Sequence, residues 1–196
     1  MSEGVCVFDY NNDGFDDILF TTRGGSSIHL YKNNGGINFT NVSIESNVGQ
    51  EMEARTAIAG DYDNDGDLDL FVGATIGSSK FFQNNGDGTF QDITNLTGIY
   101  VNDQVRGCSW FDFNQDGYLD LYVGLLFEPN LLYKNNGDGT FIDIAQNVGA
   151  TGPIGAGIIM GLGAIDYNRD GYQDLYITQD NYNGNILLKN ENGMFF

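Results

Sequence analysis

Nine residues, Asp61 to Asp69, read DYDNDGDLD and place carboxylates at positions one, three, five and nine around a glycine at position six. This is the chemistry of a calcium loop: Ca2+ takes about six to eight oxygens in a flexible geometry, so alternate side chains on a tightly turning backbone can converge on it. Gly66 permits the turn, Asp61, Asp63, Asp65 and Asp69 offer side-chain oxygens, and the seventh-position carbonyl of Asp67 is the backbone candidate. The loop recurs as DYNNDGFDD, DFNQDGYLD and DYNRDGYQD. There Asn replaces the third-position Asp, keeping an oxygen and dropping a charge. The ligand sets are Asp9, Asn11, Asp13, Asp17 with the carbonyl of Phe15; Asp112, Asn114, Asp116, Asp120 with that of Tyr118; and Asp166, Asn168, Asp170, Asp174 with that of Tyr172. One copy could be an Asx-Gly turn that binds nothing. Four copies with Asp or Asn at every ligand position argue for about four Ca2+ per chain.

An EF-hand is excluded at its twelfth position, where a bidentate Glu belongs and Phe20, Val72, Val123 and Ile177 stand. Each loop runs into a short apolar segment (DILF, DLFV, DLYV, DLYI), too short for a helix and rich in aromatic and β-branched residues. The loops are therefore expected to join two strands.

The leading aspartates lie 52, 51 and 54 residues apart, the mark of a repeat architecture. In the second copy a first strand at residues 56–60 enters the loop and a second leaves it at 70–74. A third follows near 80–83, NNGDG turns the chain, and a fourth covers roughly 89–94. Turns KNNGG, KNNGDG and KNENG fall in register in the other copies, and Asn-Gly between apolar runs is a hairpin signal because both residues tolerate positive φ. Each unit is thus expected to be a four-stranded antiparallel meander. Second strands apolar at three consecutive positions, such as Leu121, Tyr122 and Val123, must be covered on both faces. Radially stacked sheets satisfy this, so the expectation is an all-β chain forming one β-propeller repeat domain over 1–196, with blades near 1–48, 49–99, 100–150 and 151–196.

The pattern DxDxDGxxDLYVG followed by YKNNGDGTFxDI resembles the FG-GAP or VCBS repeat, across essentially the whole chain. The resemblance implies a propeller of the kind found in integrin α-subunits and many secreted proteins. Calcium loops would join the first and second strands on one face, and ligands would engage the opposite face. Blade one lacks anything before its first strand, and blade four stops at Met194, Phe195 and Phe196, midway through its fourth. Four blades could be a complete small ring, a fragment of a larger propeller, or part of an assembly of several chains. The unfinished edge of blade four, with those three side chains exposed, is a candidate for self-association.

Twenty-eight glycines, two prolines and 13% aromatics fit a turn-rich β protein. Thirteen of the side-chain ligands are Asp, and four Ca2+ would reduce the net charge of −19 to about −11. The remaining acidity excludes a nucleic-acid partner. No apolar run reaches membrane-spanning length, so no membrane insertion is expected. No signal peptide is visible, and the chain reads as a mature piece of a protein. An extracellular or cell-surface location follows instead from loops of this kind, which suit millimolar calcium. Cys6 and Cys108 sit in non-adjacent repeats, where buried thiols are favoured over a disulfide.

Nothing points to catalysis. His29, the only histidine, reads as a strand surface residue, and the sequence holds no nucleophile motif, phosphate loop or Cys/His cluster. The chain is expected not to be an enzyme. Recurrent aromatics (Phe71, Tyr122, Tyr176, Phe82, Tyr133) read as packing between blades. Candidates for ligand binding are Arg55 and Arg106, each ahead of a first strand, and Tyr100, Phe127 and Tyr182 on loops that differ between blades. Those loops are expected on the face opposite calcium, where a protein or glycan ligand would bind. The reading is an extracellular calcium-binding module for adhesion or ligand recognition. Its alternatives are a non-catalytic carbohydrate-binding propeller of a polysaccharide-active enzyme, or a self-assembling structural subunit.

Overall fold

Alternating apolar strands punctuated by Asn-Gly turns give an all-β chain. A computed structural model describes residues 2–22, 24, 26–152, 158–180 and 184–196. The first sheet contains β1 (Ser2–Phe8), β2 (Asp17–Thr22), β3 (His29–Asn33) and β4 (Phe39–Asn41). The second contains β5 (Glu53–Gly60), β6 (Asp69–Ile76), β7 (Lys80–Asn84) and β8 (Phe90–Asp92). The third contains β9 (Val105–Phe111), β10 (Asp120–Leu125), β11 (Leu131–Asn135) and β12 (Phe141–Asp143), followed by a single helical turn, α1 (Ala145–Val148). Each is an antiparallel meander with strands in chain order.

The fourth unit follows the same path with a break. β13 (Ile159–Ile165), β14 (Asp174–Gln179) and β15 (Ile186–Leu188) form a three-stranded sheet, and β16 (Asn190–Glu191) with β17 (Met194–Phe195) forms a separate ribbon. The ribbon is closed by reciprocal backbone bonds between Lys189 and Phe196. This corrects the expected exposure of all three terminal apolar side chains: Met194 and Phe196 are exposed, but Phe195 is buried. Phe195 stands where Phe90 and Phe141 stand in earlier units, and its ring packs against Phe111 and Phe113 of the third.

Sheets stack face to face in chain order. One apolar cluster joins the first sheet to the second through Leu19, Leu30, Leu70 and Phe82, among others. The next joins second to third through Phe71, Phe81, Leu121 and Tyr133, and a further one joins third to fourth through Tyr122, Leu132, Leu175 and Leu188. β6 and β10 are buried almost throughout because each lies between two neighbours. Full burial of a Leu or Phe side chain contributes about 1.5–3 kcal/mol, so these interfaces carry most of the apolar stabilisation.

The sheets are also joined by hydrogen bonds. Asn84 Nδ2 donates to the carbonyl of Tyr10 in the preceding unit, Asn135 Nδ2 to that of Tyr62 and Asn190 Nδ2 to that of Phe113, each at 2.8 Å. Beside them, the N–H groups of Phe90 and Phe141 donate to Ser46 and Thr97 of the unit before. This second contact needs a close backbone approach. A Cβ at Gly98 would lie 2.7 Å from the carbonyl oxygen of Phe141, and Gly98 has φ of 80°. Gly98→Ala is therefore expected to destabilise the chain by about 1–3 kcal/mol, which thermal melting would detect.

Every first strand carries a bulge where it approaches its partner's far end. The register skips Arg55 in β5 and Arg106 in β9, as it skips Glu3 and Met160 in β1 and β13. The two arginines expected ahead of a first strand are thus inside one, at a position whose extra residue re-aims the side chain. Cys6 and Cys108 are both free thiols, and burial pushes their pKa values up to about 11 and about 12.

Candidate metal centres

The register of the first two strands brings each loop into shape. Phe8 faces Asp17, Gly60 faces Asp69, Phe111 faces Asp120 and Ile165 faces Asp174, so every loop is closed by the pair at its base. Inside it the first-position carboxylate accepts from two backbone N–H groups. Asp61 takes those of Asp65 and Gly66, both at 3.1 Å, and Asp9, Asp112 and Asp166 repeat the arrangement. The fourth position of each loop is left-handed: Asn12, Asn64, Gln115 and Arg169 have φ of 56–62°. The first three reach forward to the next loop, Asn12 to Asp67 Oδ1, Asn64 to the Gly117 carbonyl and Gln115 to the Gly171 carbonyl.

Ninth-position carboxylates are fully buried clamps. Asp69 accepts from the N–H of Tyr62 at 3.2 Å and of Asn84 at 2.9 Å, tying the start of the loop to the third strand. Asp17, Asp120 and Asp174 do the same with Tyr10 and Asn33, Phe113 and Asn135, and Tyr167 and Asn190. Burial raises Asp69 and Asp120 to about 7, against the opposing pull of the N–H groups they accept from.

The test of whether a cation fits falls on the second loop. Ligand oxygens of Asp61, Asp63 and Asp65 lie within 4.8 Å of one another. Asp63 Oδ1 is buried with no hydrogen-bond partner, although a buried carboxylate oxygen is costly to leave unpaired. Burial and then the neighbouring Asp65 charge hold the Asp63 carboxyl above its ordinary range. A crowded, partly dehydrated set of oxygens with one left over suits a hard divalent ion.

The other three loops differ in charge. With Asn at position three they also place a lysine on the third strand or directly after it: Lys32 lies 3.1 Å from Asp13 Oδ2, and Lys134 lies 3.1 Å from Asp116 Oδ2. Lys32 holds the Asp13 carboxyl below its ordinary range. Burial acts against the same shift at Asp116, but the Asn114 amide, the Tyr118 N–H and Lys134 outweigh it. Lys189, in the fourth unit, pairs with Glu191. The second loop has Gln83 at this place, and its amide donates to Asp63 Oδ2 at 2.8 Å. Lys134→Gln is accordingly expected to tighten calcium binding at the third loop roughly five- to tenfold, as one positive charge leaves the site. Calorimetric titration of variant and parent would measure it.

The proposed ligand residues are not brought together as one site. Tyr100 and Phe127 are exposed, on connections at the end of the strands opposite the metal loops. The backbone of Tyr100 is fixed by the hydroxyl of Tyr133, which donates to its carbonyl and accepts from its N–H. Arg55 and Arg106 are half-buried at their bulges, and each interacts with neighbouring groups. Tyr182 lies outside the described residues, as does Pro153 in the connection beginning at Gly149. At that opposite end a cavity of about 450 Å³ is lined by Asp103, Leu125, Glu128, Pro129 and Asp143, with neighbours from the following turn. His29 lies on strand β3 but is half-buried rather than a surface residue, with its Nδ1 buried.

Sequence reasoning treated the asparagines of the YKN segments only as turn residues and missed their role between units. Their signal was available: Asn33, Asn84, Asn135 and Asn190 recur two residues after an apolar strand position, ahead of each turn.

Comparison with known proteins agrees with this geometry. The chain is 32% identical over 155 residues to cartilage acidic protein 1 of Xenopus tropicalis, covering 76% of this chain and 23% of that protein. It is 28% identical over 146 residues to the Homo sapiens protein of that name, covering 72% of this chain and 22% of that one. The chain therefore spans about a quarter of the length of these relatives. Among solved structures, an Agrocybe aegerita lectin described for recognition of non-reducing terminal N-acetylglucosamine aligns with a TM-score of 0.56 at 19% identity, over 97% of this chain and 50% of the lectin. The FG-GAP-like repeat matches residues 9–72, 61–123 and 127–177. With its loops, strand order and unit spacing all those of that repeat, the chain belongs to the FG-GAP-like repeat family.

Proposed function

We propose that the chain is an extracellular, calcium-stabilised recognition module of β-propeller type, acting by binding rather than by catalysis. The observation that carries this reading is the convergence of Asp61, Asp63 and Asp65 around an unpartnered buried carboxylate oxygen. Loops of the same form in the other three units extend it. The resemblance to cartilage acidic protein 1 supports an extracellular setting.

Bound calcium would supply positive charge that partly offsets the carboxylates of each loop. The chain's own residues do the rest. First-position aspartates shape the turn through two N–H groups, ninth-position aspartates tie it to the third strand, and Asn12, Asn64 and Gln115 couple one loop to the next. Fixing the loops holds the stacked sheets in register, so connections at the other end present Tyr100, Phe127 and the nearby cavity on a rigid base.

A glycan is the first ligand class to test, because one solved structure sharing this fold is described as a lectin. Binding of the calcium-loaded protein to a glycan array and to immobilised extracellular matrix proteins, with and without chelator, separates the readings. Glycan binding lost with Phe127→Ala supports a sugar-directed module. A discrete protein ligand supports adhesion, and no binding on either surface would contradict a recognition role.

A further inference from the structure

At the end of each unit away from the metal loops, the first residue of the third strand lies near the last residue of the fourth, and the repeats present this pair in three versions. In the second unit Lys80 opens β7 and Asp92 closes β8, and the Lys80 ammonium lies 2.8 Å from Asp92 Oδ2. Asp92 Oδ1 is occupied separately, by the N–H and hydroxyl of Thr94 at 3.0 and 2.6 Å. In the first unit both members change together: His29 stands in the place of Lys80 and Asn41 in that of Asp92. Where the carboxylate is lost, so is the lysine.

The third unit keeps the acid and loses the base. Asp143 closes β12 in the place of Asp92, but Leu131 opens β11 in the place of Lys80. Asp143 Oδ1 accepts from the N–H groups of Leu132 at 3.2 Å and of Ala145 at 3.0 Å. Among the described residues nothing pairs with Oδ2, the atom that corresponds to the lysine-bound oxygen of Asp92.

This is where the cavity of about 450 Å³ opens, and Asp143 and Leu131 both line it. Asp103 and Glu128, both exposed, add two further carboxylates to its wall, and none of its lining residues is basic. Leu125 and Pro129 join Leu131 in the apolar part of that wall. Apolar clusters pack the third unit against a neighbour on each side, so the cavity belongs to the interior of the stack and to neither end.

We propose that this cavity seats the side chain of a lysine presented by a protein ligand. The ammonium takes Asp143 Oδ2 as Lys80 takes Asp92 Oδ2, with Asp103 and Glu128 adding negative charge around it. The methylenes lie along the apolar wall, the usual way such a stem is covered while its head stays charged. Lysine fits better than arginine because only one oxygen of Asp143 is open, and a guanidinium gains most from two. An amino sugar carries the same ammonium on a ring of hydroxyls, which an apolar wall leaves without partners. A lysine in this cavity presupposes the recognition role proposed above and specifies its ligand as a protein.

NMR titration of the calcium-loaded protein tests this, with the capped peptide Gly-Gly-Lys-Gly-Gly as the probe. The amide signals of Leu132 and Ala145, whose N–H groups bond Asp143, should shift and saturate at millimolar peptide. The same peptide with acetyl-lysine or norleucine should leave them in place, and the arginine peptide should bind more weakly. Asp143→Asn should weaken binding about fivefold or more. Asp138→Asn removes the same charge from an exposed turn at the metal-loop end and should leave binding unchanged. Leu131→Lys rebuilds the pair of the second unit and should abolish binding by filling the site from within, with circular dichroism melts to confirm that the variants fold. Unmoved Leu132 and Ala145 signals with the lysine peptide overturn the proposal, as does equal binding by the acetyl-lysine peptide or by Asp143→Asn. Shifts produced by glucosamine but not by the lysine peptide also overturn it, giving the cavity to a sugar. All of these leave the glycan-array and matrix-protein assay untouched, and only its failure on both surfaces counts against the recognition role itself.

Discussion

Excess chelator should lower the melting temperature of this chain by about 12–24 °C. A cation that binds only the folded loops adds RT ln(1 + [L]/Kd) per site. At millimolar calcium and a dissociation constant on the order of 10⁻⁴ M, that is about 1.4 kcal/mol per site and about 6 kcal/mol for four. For a chain of this size each kcal/mol corresponds to about 2–4 °C. The structural reason is the crowding in the second loop, where Asp63 sits above its ordinary range through burial and then the charge of Asp65. Without the ion that repulsion stays in the folded state and is relieved on unfolding. Scanning calorimetry with calcium, with chelator, and with calcium restored would measure the effect, and coincident melts would rule out a structural role for the ion.

Asp120→Ala should cost about 3–5 kcal/mol, far more than the loss of a loop carboxylate in a metal-free protein. Asp120 is fully buried and accepts from the Phe113 N–H at 3.1 Å and the Asn135 N–H at 2.8 Å. Truncation strands both donors in the interior, at about 1–3 kcal/mol each. Asn135 in turn joins the third sheet to the Tyr62 carbonyl of the second, so the damage extends to the interface between units. Asp138→Ala, in an exposed turn where the carboxylate bonds Thr140, is the control and should cost under about 1 kcal/mol. Urea titration of both variants in chelator isolates the clamp from any metal. Equal losses would show that the clamp carries no special weight.

The loops and the order of strands could be read from the chain because both are local. Side-chain oxygens spaced along nine residues, an Asn-Gly turn and an apolar triplet each declare themselves without reference to distant residues. What escaped reading depends on neighbours far along the chain. Asn84 looks like a turn residue until the Tyr10 carbonyl, in the preceding unit, is placed against its amide. Arg55 and Arg106 were expected ahead of their strands because a bulge inserts a residue with no compositional mark. Phe195 was expected at an open edge, yet the third sheet lies over it. The distinction among loops was also within reach: Asp63 occurs with Gln83, while Asn114 occurs with Lys134, so charge on the loop and on the third strand vary together.

Counting calcium ions tests the account most directly. Protein stripped with chelator, exchanged into calcium-free buffer and titrated by isothermal calorimetry should take up about four Ca2+ per chain, the second loop filling first because no lysine stands beside it. Asp65→Ala should remove that earliest phase. Uptake of three ions would match one weakened loop, whereas zero or one would contradict the reading of these four loops as metal centres.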